Sequence, residues 1–148
     1  MPFLSRIGSP AVALRIVSVA MGVFVLFMGL DKLGWLADGA FLARRLQEWR
    51  GTARPLARWY LDNVAIPGSP VFARVVVLGE LTAGTALILG VRVRLAAALV
   101  FLMVINFHVA SDLIFRTSYL INPYGLPVLG GLLALAVGGT RLPLSLSR

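Results

Sequence analysis

AVALRIVSVAMGVFVLFMGL, residues 11–30, is an apolar run interrupted by a single charge, Arg15. A helix needs roughly 20 such residues to cross a hydrocarbon core. Three further stretches have the same character, at residues 71–90, 95–115 and 119–137. Together they predict an all-α integral membrane protein: one membrane domain over residues 1–148, built as a four-transmembrane-helix bundle. Ser9-Pro10 and Ser69-Pro70 each offer a capping hydroxyl followed by a proline at the first helical position, where a missing N–H costs nothing. Gly90 is a natural stop for the second span. No small-residue cleavage site follows the first run before Gly29-Leu30-Asp31-Lys32, so it is expected to stay attached.

Composition agrees with that reading. Hydrophobic residues make up 59% of the chain and charged residues 14%, against roughly 25% charged in a soluble domain. This excludes an ordinary soluble globule and a disordered chain alike. With no cysteine there is no disulfide, thiolate metal site or iron–sulfur cluster, so any redox role needs a borrowed cofactor. The net charge of +8 sits between apolar segments, where it contacts anionic lipid and sets orientation; no nucleic-acid partner is expected.

Four spans put both termini on one side. That side carries Arg6, Arg92, Arg94, Arg141 and Arg148, with Arg15 just inside, and no acidic residue. The opposite face holds a long first loop rich in Lys, Arg and Asp. These charges predict the inner, cytoplasmic membrane of a prokaryote with both termini in the cytoplasm.

The first loop is too long for a plain connector. Phe41, Leu42, Leu46 and Trp49 form one helical stripe, and Leu56, Trp59, Tyr60 and Val64 a second. Residues 36–66 therefore read as amphipathic interfacial helices. All three Trp and all three Tyr lie in or beside the loops of this face, as in an aromatic belt at headgroup level. In the fourth span Pro127 follows Asn122-Pro123 by four residues, which predicts a kinked or broken entry. Small residues at Ser18 and Gly22, at Gly79 and Ala83, and at Gly130, Ala134 and Gly138 are expected at close helix contacts.

Arg15, Glu80, Asn106, His108 and Asp112 are polar groups at membrane depth, where an unpaired charge costs about 2.5 to 3.5 kcal/mol or more. Counting depth from the terminal side predicts an Arg15–Glu80 salt bridge; a proton-relay or ligand-binding role is the rival reading of Glu80. His108 and Asp112, four residues apart, share a helix face. They read either as a structural pair or as a site for a quinone head or other polar ligand, with Asp112 fixing the His108 tautomer. One histidine and scattered carboxylates predict no metal site, and no phosphate loop or nucleophile elbow occurs.

Arg15, Gly29 and Lys32 at the end of the first helix, GELTAGTALILG from Gly79 to Gly90, and the following Arg94-Leu95-Ala96-Ala97 resemble the DoxX family. That family includes the DoxD small subunit of thiosulfate:quinone oxidoreductase. The resemblance implies a quinone-linked or redox-associated membrane component, with Arg15, Lys32 and Glu80 as carried-over positions. The chain departs from the family's Ser-Leu-Asp ending, having Ser145-Leu146-Ser147. The expected function is a subunit that binds a quinone or polar-headed lipid near Glu80, His108 and Asp112, not catalytic alone, while a partner carries electron transfer. The rivals are a non-catalytic subunit of a larger membrane assembly, made with other subunits or with copies of itself, and a small-solute or proton transporter.

Overall fold

The computed structural model describes residues 9–114 and 116–146. Arg6, Phe115, Ser147 and Arg148 lie outside the described residues. Among those described there is no strand. Helix α1, Pro10–Asp31, begins where the Ser9 hydroxyl accepts a bond from Val12 N at 3.3 Å. Helices α2 (Gly34–Ala37), α3 (Ala40–Thr52) and α4 (Pro55–Tyr60) fill the first loop, and α4 widens into a π-turn over Leu61–Ala65. Helix α5 is Ser69–Leu89 and α6 is Val93–Ala110. A 3₁₀ turn, Thr117–Ile121, leads to α7, Leu126–Gly138.

Helices α1, α5 and α6 are long and apolar enough to cross a membrane. Gly68 rather than Ser69 caps α5, so Ser69 lies inside the helix. Gly90, at φ 72°, ends α5 in the left-handed conformation that glycine adopts without strain. The fourth segment is broken as its prolines predict. Pro127 stands in the first turn of α7, where its absent N–H is harmless. At 13 residues, α7 rises only about 20 Å.

Helices α1 and α5 run antiparallel at glycine distance. A Cβ on Gly22 would lie 2.8 Å from Ile88 N, and one on Gly84 would lie 2.6 Å from Leu26 N. Close approach of this kind supplies van der Waals contact in lipid, where burying apolar surface gains nothing. The core between the helices is Val25, Leu87, Ala97, Val100, Leu132 and Leu135, while Ile16, Phe27, Leu102 and Val137 point outward. The expectation for the fourth segment is corrected: Gly130 has nothing within 4 Å, and Gly131 faces Met21 instead. Gly138 does meet Leu14.

The loop helices fold onto α5 and α6 around a second small core of Leu42, Leu46, Ala57, Leu61, Ala65, Ala73 and Ala110. The first expected stripe holds at Leu42 and Leu46, although Phe41 is exposed. The second holds only at Tyr60, which packs against this core; Ala57, Leu61 and Ala65 turn inward, and Leu56, Trp59 and Val64 outward. Ala57 and Ala65 let this segment lie close to the bundle, while Leu56, Trp59 and Val64 remain on its outer face.

Candidate functional site

The antiparallel register of α1 and α5 decides which charges meet. Gly29 lies against Glu80, since a Cβ there would stand 3.0 Å from the Glu80 Cβ. Arg15 is fourteen residues nearer the start of α1, about 21 Å away at ~1.5 Å per residue. That places it level with the end of α5. The expected Arg15–Glu80 bridge is therefore not formed. Arg15 instead donates from Nη1 to Leu87 O at 3.1 Å and from Nη2 to Ile88 O at 2.7 Å and Leu144 O at 3.1 Å. Ser18 Oγ also donates to Leu87 O, at 2.8 Å. Leu87 O and Ile88 O are last-turn carbonyls of α5 without helical partners, at the negative end of the helix dipole, and Leu144 O belongs to the segment after α7.

Glu80 is paired by Lys32. Lys32 Nζ donates to Oε1 at 3.0 Å, to Oε2 at 2.9 Å and to Met28 O at 2.9 Å. Both side chains are 11% exposed. The lysine sits just past the end of α1 and runs its stem back along the helix, so that all three ammonium protons find acceptors. Trp35 lies with its ring centroid 5.9 Å from Nζ.

The expected His108–Asp112 pair is also absent, because α6 stops at Ala110. Asp112 takes a left-handed φ of 58°, and Leu113 N bonds back to His108 O at 3.0 Å. Residues four apart face one another only while the helix continues. His108 instead shares a 2.9 Å hydrogen bond between Nδ1 and the Tyr119 hydroxyl, whose ring crosses it edge-on at 5.2 Å. Asp112 is 1% exposed and turns toward Arg116 Nη2 at 3.2 Å and Arg54 Nε at 3.7 Å.

A cavity of about 400 Å³ opens between α1, α5, α6 and the loop helices. Lys32, Glu80 and His108 line it, with Trp35, Trp49 and Tyr124 toward the loop side and Val25, Val100 and Val128 deeper in. Three of the five candidate residues thus share one chamber; Arg15 and Asp112 do not line it. In the sequence Tyr119 and Trp35 stand out only as belt aromatics, and Trp49 also as a member of the first loop stripe. The signal for Tyr119 was its place just beyond the α6 turn, from which the chain returns over His108.

The chamber is mainly apolar, with Asp31 and Arg45 lining it beside Lys32, Glu80 and His108, and sites for small organic ligands are likewise mostly apolar with a few polar groups. Nδ1 of His108 is engaged by Tyr119, so Nε2 is the nitrogen left for a ligand; it carries the proton in the tautomer in which the phenol donates to Nδ1. The ion pair adds a fixed dipole in a medium of low dielectric. Among the described residues no three His, Asp or Glu side chains cluster around a common point.

No curated protein and no solved structure matches the chain. A family model described as DoxX matches residues 12–111. That stretch runs from the first turn of α1 through the Lys32–Glu80 pair to the end of α6, and over it the chain belongs to the DoxX family.

Proposed function

We propose that this chain binds a quinone, or another lipid with a polar carbonyl head, in the chamber beside Lys32, Glu80 and His108, while a partner protein carries the electron transfer. The observation that supports it is the chamber itself: about 400 Å³ of mainly apolar space with an ion pair and a histidine nitrogen on one patch. That volume falls in the range of pockets that enclose small ligands, about 300–1,000 Å³. A quinone carbonyl is an acceptor, and a His108 whose Nδ1 is occupied by Tyr119 offers it a donor. The redox chemistry belongs to the quinone and the partner; this chain's residues bind and orient.

The same reading sets the chain in the inner membrane of a prokaryote with its termini in the cytoplasm. Arg15, Arg92, Arg94 and Arg141 gather at that end, with no Asp or Glu there among the described residues. The 3₁₀ turn and α7 together complete a fourth crossing, and the outward Leu56, Trp59 and Val64 rest α4 in the interface.

Trp35 and Trp49 line the chamber, so their fluorescence tests the proposal. Decylubiquinone titrated into the purified chain should quench it saturably, and His108→Phe or Glu80→Gln should weaken that binding at least tenfold. Purely linear quenching, or unchanged affinity in both variants, would overturn the reading.

A further inference from the structure

A second recess lies on the outside of the bundle. Between α5 and α6 runs an apolar groove of about 640 Å³, with Gly79, Ala83 and Ala96 on its floor and Leu95, Leu99 and Leu102 along its side. It begins at Arg92 and ends near Asn106, which accepts a hydrogen bond from the Tyr60 hydroxyl. From Leu95 to Asn106 is about 16 Å at ~1.5 Å per residue, close to one leaflet of a ~30 Å hydrocarbon core. At its Arg92 end the groove continues into a shallow basin that shares Arg92 and Leu95 and adds Arg94, Thr140 and Arg141.

Two arginines of the basin hold positive charge that no carboxylate among the described residues offsets. Arg94 uses Nε on Ala136 O at 2.9 Å; among the described residues neither its Nη atoms nor the Arg141 guanidinium has a protein partner. The six acidic residues, Asp31, Asp38, Glu48, Asp62, Glu80 and Asp112, all lie elsewhere. A second copy in the same membrane orientation would bring the same arginine-rich end, which has no Asp or Glu among the described residues, so its side chains would not neutralise the basin.

We infer that the groove and basin form one site for an anionic phospholipid, with its phosphate held by Arg94 and Arg141 and one acyl chain laid along α5 and α6. Arginine suits the head because its planar fork matches phosphate geometry. The single-leaflet length of the groove suits the chain. This inference does not depend on the quinone reading.

Native mass spectrometry of the full chain in mild detergent tests it. Phosphatidylglycerol should be retained in preference to phosphatidylcholine. Arg94→Gln with Arg141→Gln should weaken phosphatidylglycerol binding about 30-fold, roughly fivefold per arginine near a membrane surface, and leave phosphatidylcholine unchanged. Arg94→Lys with Arg141→Lys should restore most of the preference, separating charge from damage to the fold. Thr82→Trp, which fills the groove from an exposed position, should weaken both lipids. Equal retention of the two lipids, an unaffected arginine double variant, or displacement by glycerol phosphate at equal concentration would each overturn the inference; the last would indicate a phosphate site without a chain site.

Discussion

Glu80 and Asp112 are both buried carboxylates, yet their surroundings differ in kind. Glu80 sits midway along α5, held by one lysine that is as buried as itself, and it lines a chamber. Asp112 sits at the end of α6, facing Arg54 and Arg116, which are 58% and 41% exposed, and it does not line that chamber. Burying both partners of an ion pair is costly, and replacing such a pair by apolar residues is often neutral or stabilising. Stability alone therefore gives little reason for the Lys32–Glu80 pair. A carboxylate anchored by half-solvated arginines that belong to the loop and the α6 end has a simpler role, which is to fasten the loop helices to the bundle.

The largest expected effect is on the enclosed pair. Lys32→Met strands Glu80 in an apolar surround and should lower unfolding stability in detergent by about 3–5 kcal/mol. Lys32→Met with Glu80→Leu should recover most of that loss while abolishing ligand retention. A single variant costing less than about 1 kcal/mol would mean that water already reaches Glu80 and that the two carboxylates are alike.

Asp112→Asn should cost less, about 1–3 kcal/mol, because both arginines can turn to water once released. Asparagine tolerates the left-handed backbone there, which isolates the loss of charge. The diagnostic consequence is local. In this cysteine-free chain an Ala57→Cys probe, fully buried on the inner face of α4, should react faster with a thiol reagent when Asp112 is Asn, and no faster when Glu80 is Gln. Equal acceleration by both substitutions would erase the distinction between strut and site.

His108→Phe leaves the buried Tyr119 hydroxyl without its partner and should cost about 1–2 kcal/mol. Its diagnostic effect is on ligand affinity. Tyr119→Phe should do part of the same by freeing the tautomer of His108. If His108→Phe binds ligand as well as the parent chain, the chamber is packing space and Glu80 loses its distinction from Asp112.

What the residues revealed in advance follows from the kind of information each carries. The apolar run at residues 11–30 became α1 at Pro10–Asp31, and that at 71–90 became α5 at Ser69–Leu89, because span length is written locally. Glu80 was identifiable as a costly group, but its partner was not. That choice depends on the register of α1 against α5, set by Gly22 and Gly84 interlocking rather than by depth from either end. His108 failed for a different reason. The i, i+4 rule assumed a helix through Phe115, and the left-handed turn at Asp112, in a residue other than glycine, gave no warning. The second loop stripe shows a third limit: beside lipid, large apolar residues have no need to face inward, so Leu56 and Trp59 gave way to Ala57 and Leu61.

The smallest expected effect belongs to a third acidic residue that lies in open solvent. Asp62, in the π-turn, pairs with Arg50 of α3, and that contact holds its carboxyl below the usual carboxylate range. A depressed folded value means that the pair stabilises at pH values above the ordinary carboxylate range. The contribution then fades as pH falls through Asp62's own lower value, below roughly pH 4. Asp62→Asn should therefore melt marginally below the parent chain at neutral pH and converge with it in acid, with the neutral difference shrinking in high salt. A gap that widened toward acid would reverse the assigned sign. A neutral gap as large as that of Asp112→Asn would show that exposure does not separate the carboxylates, and that the loop helices are fastened as much by Arg50 as by the arginines around Asp112.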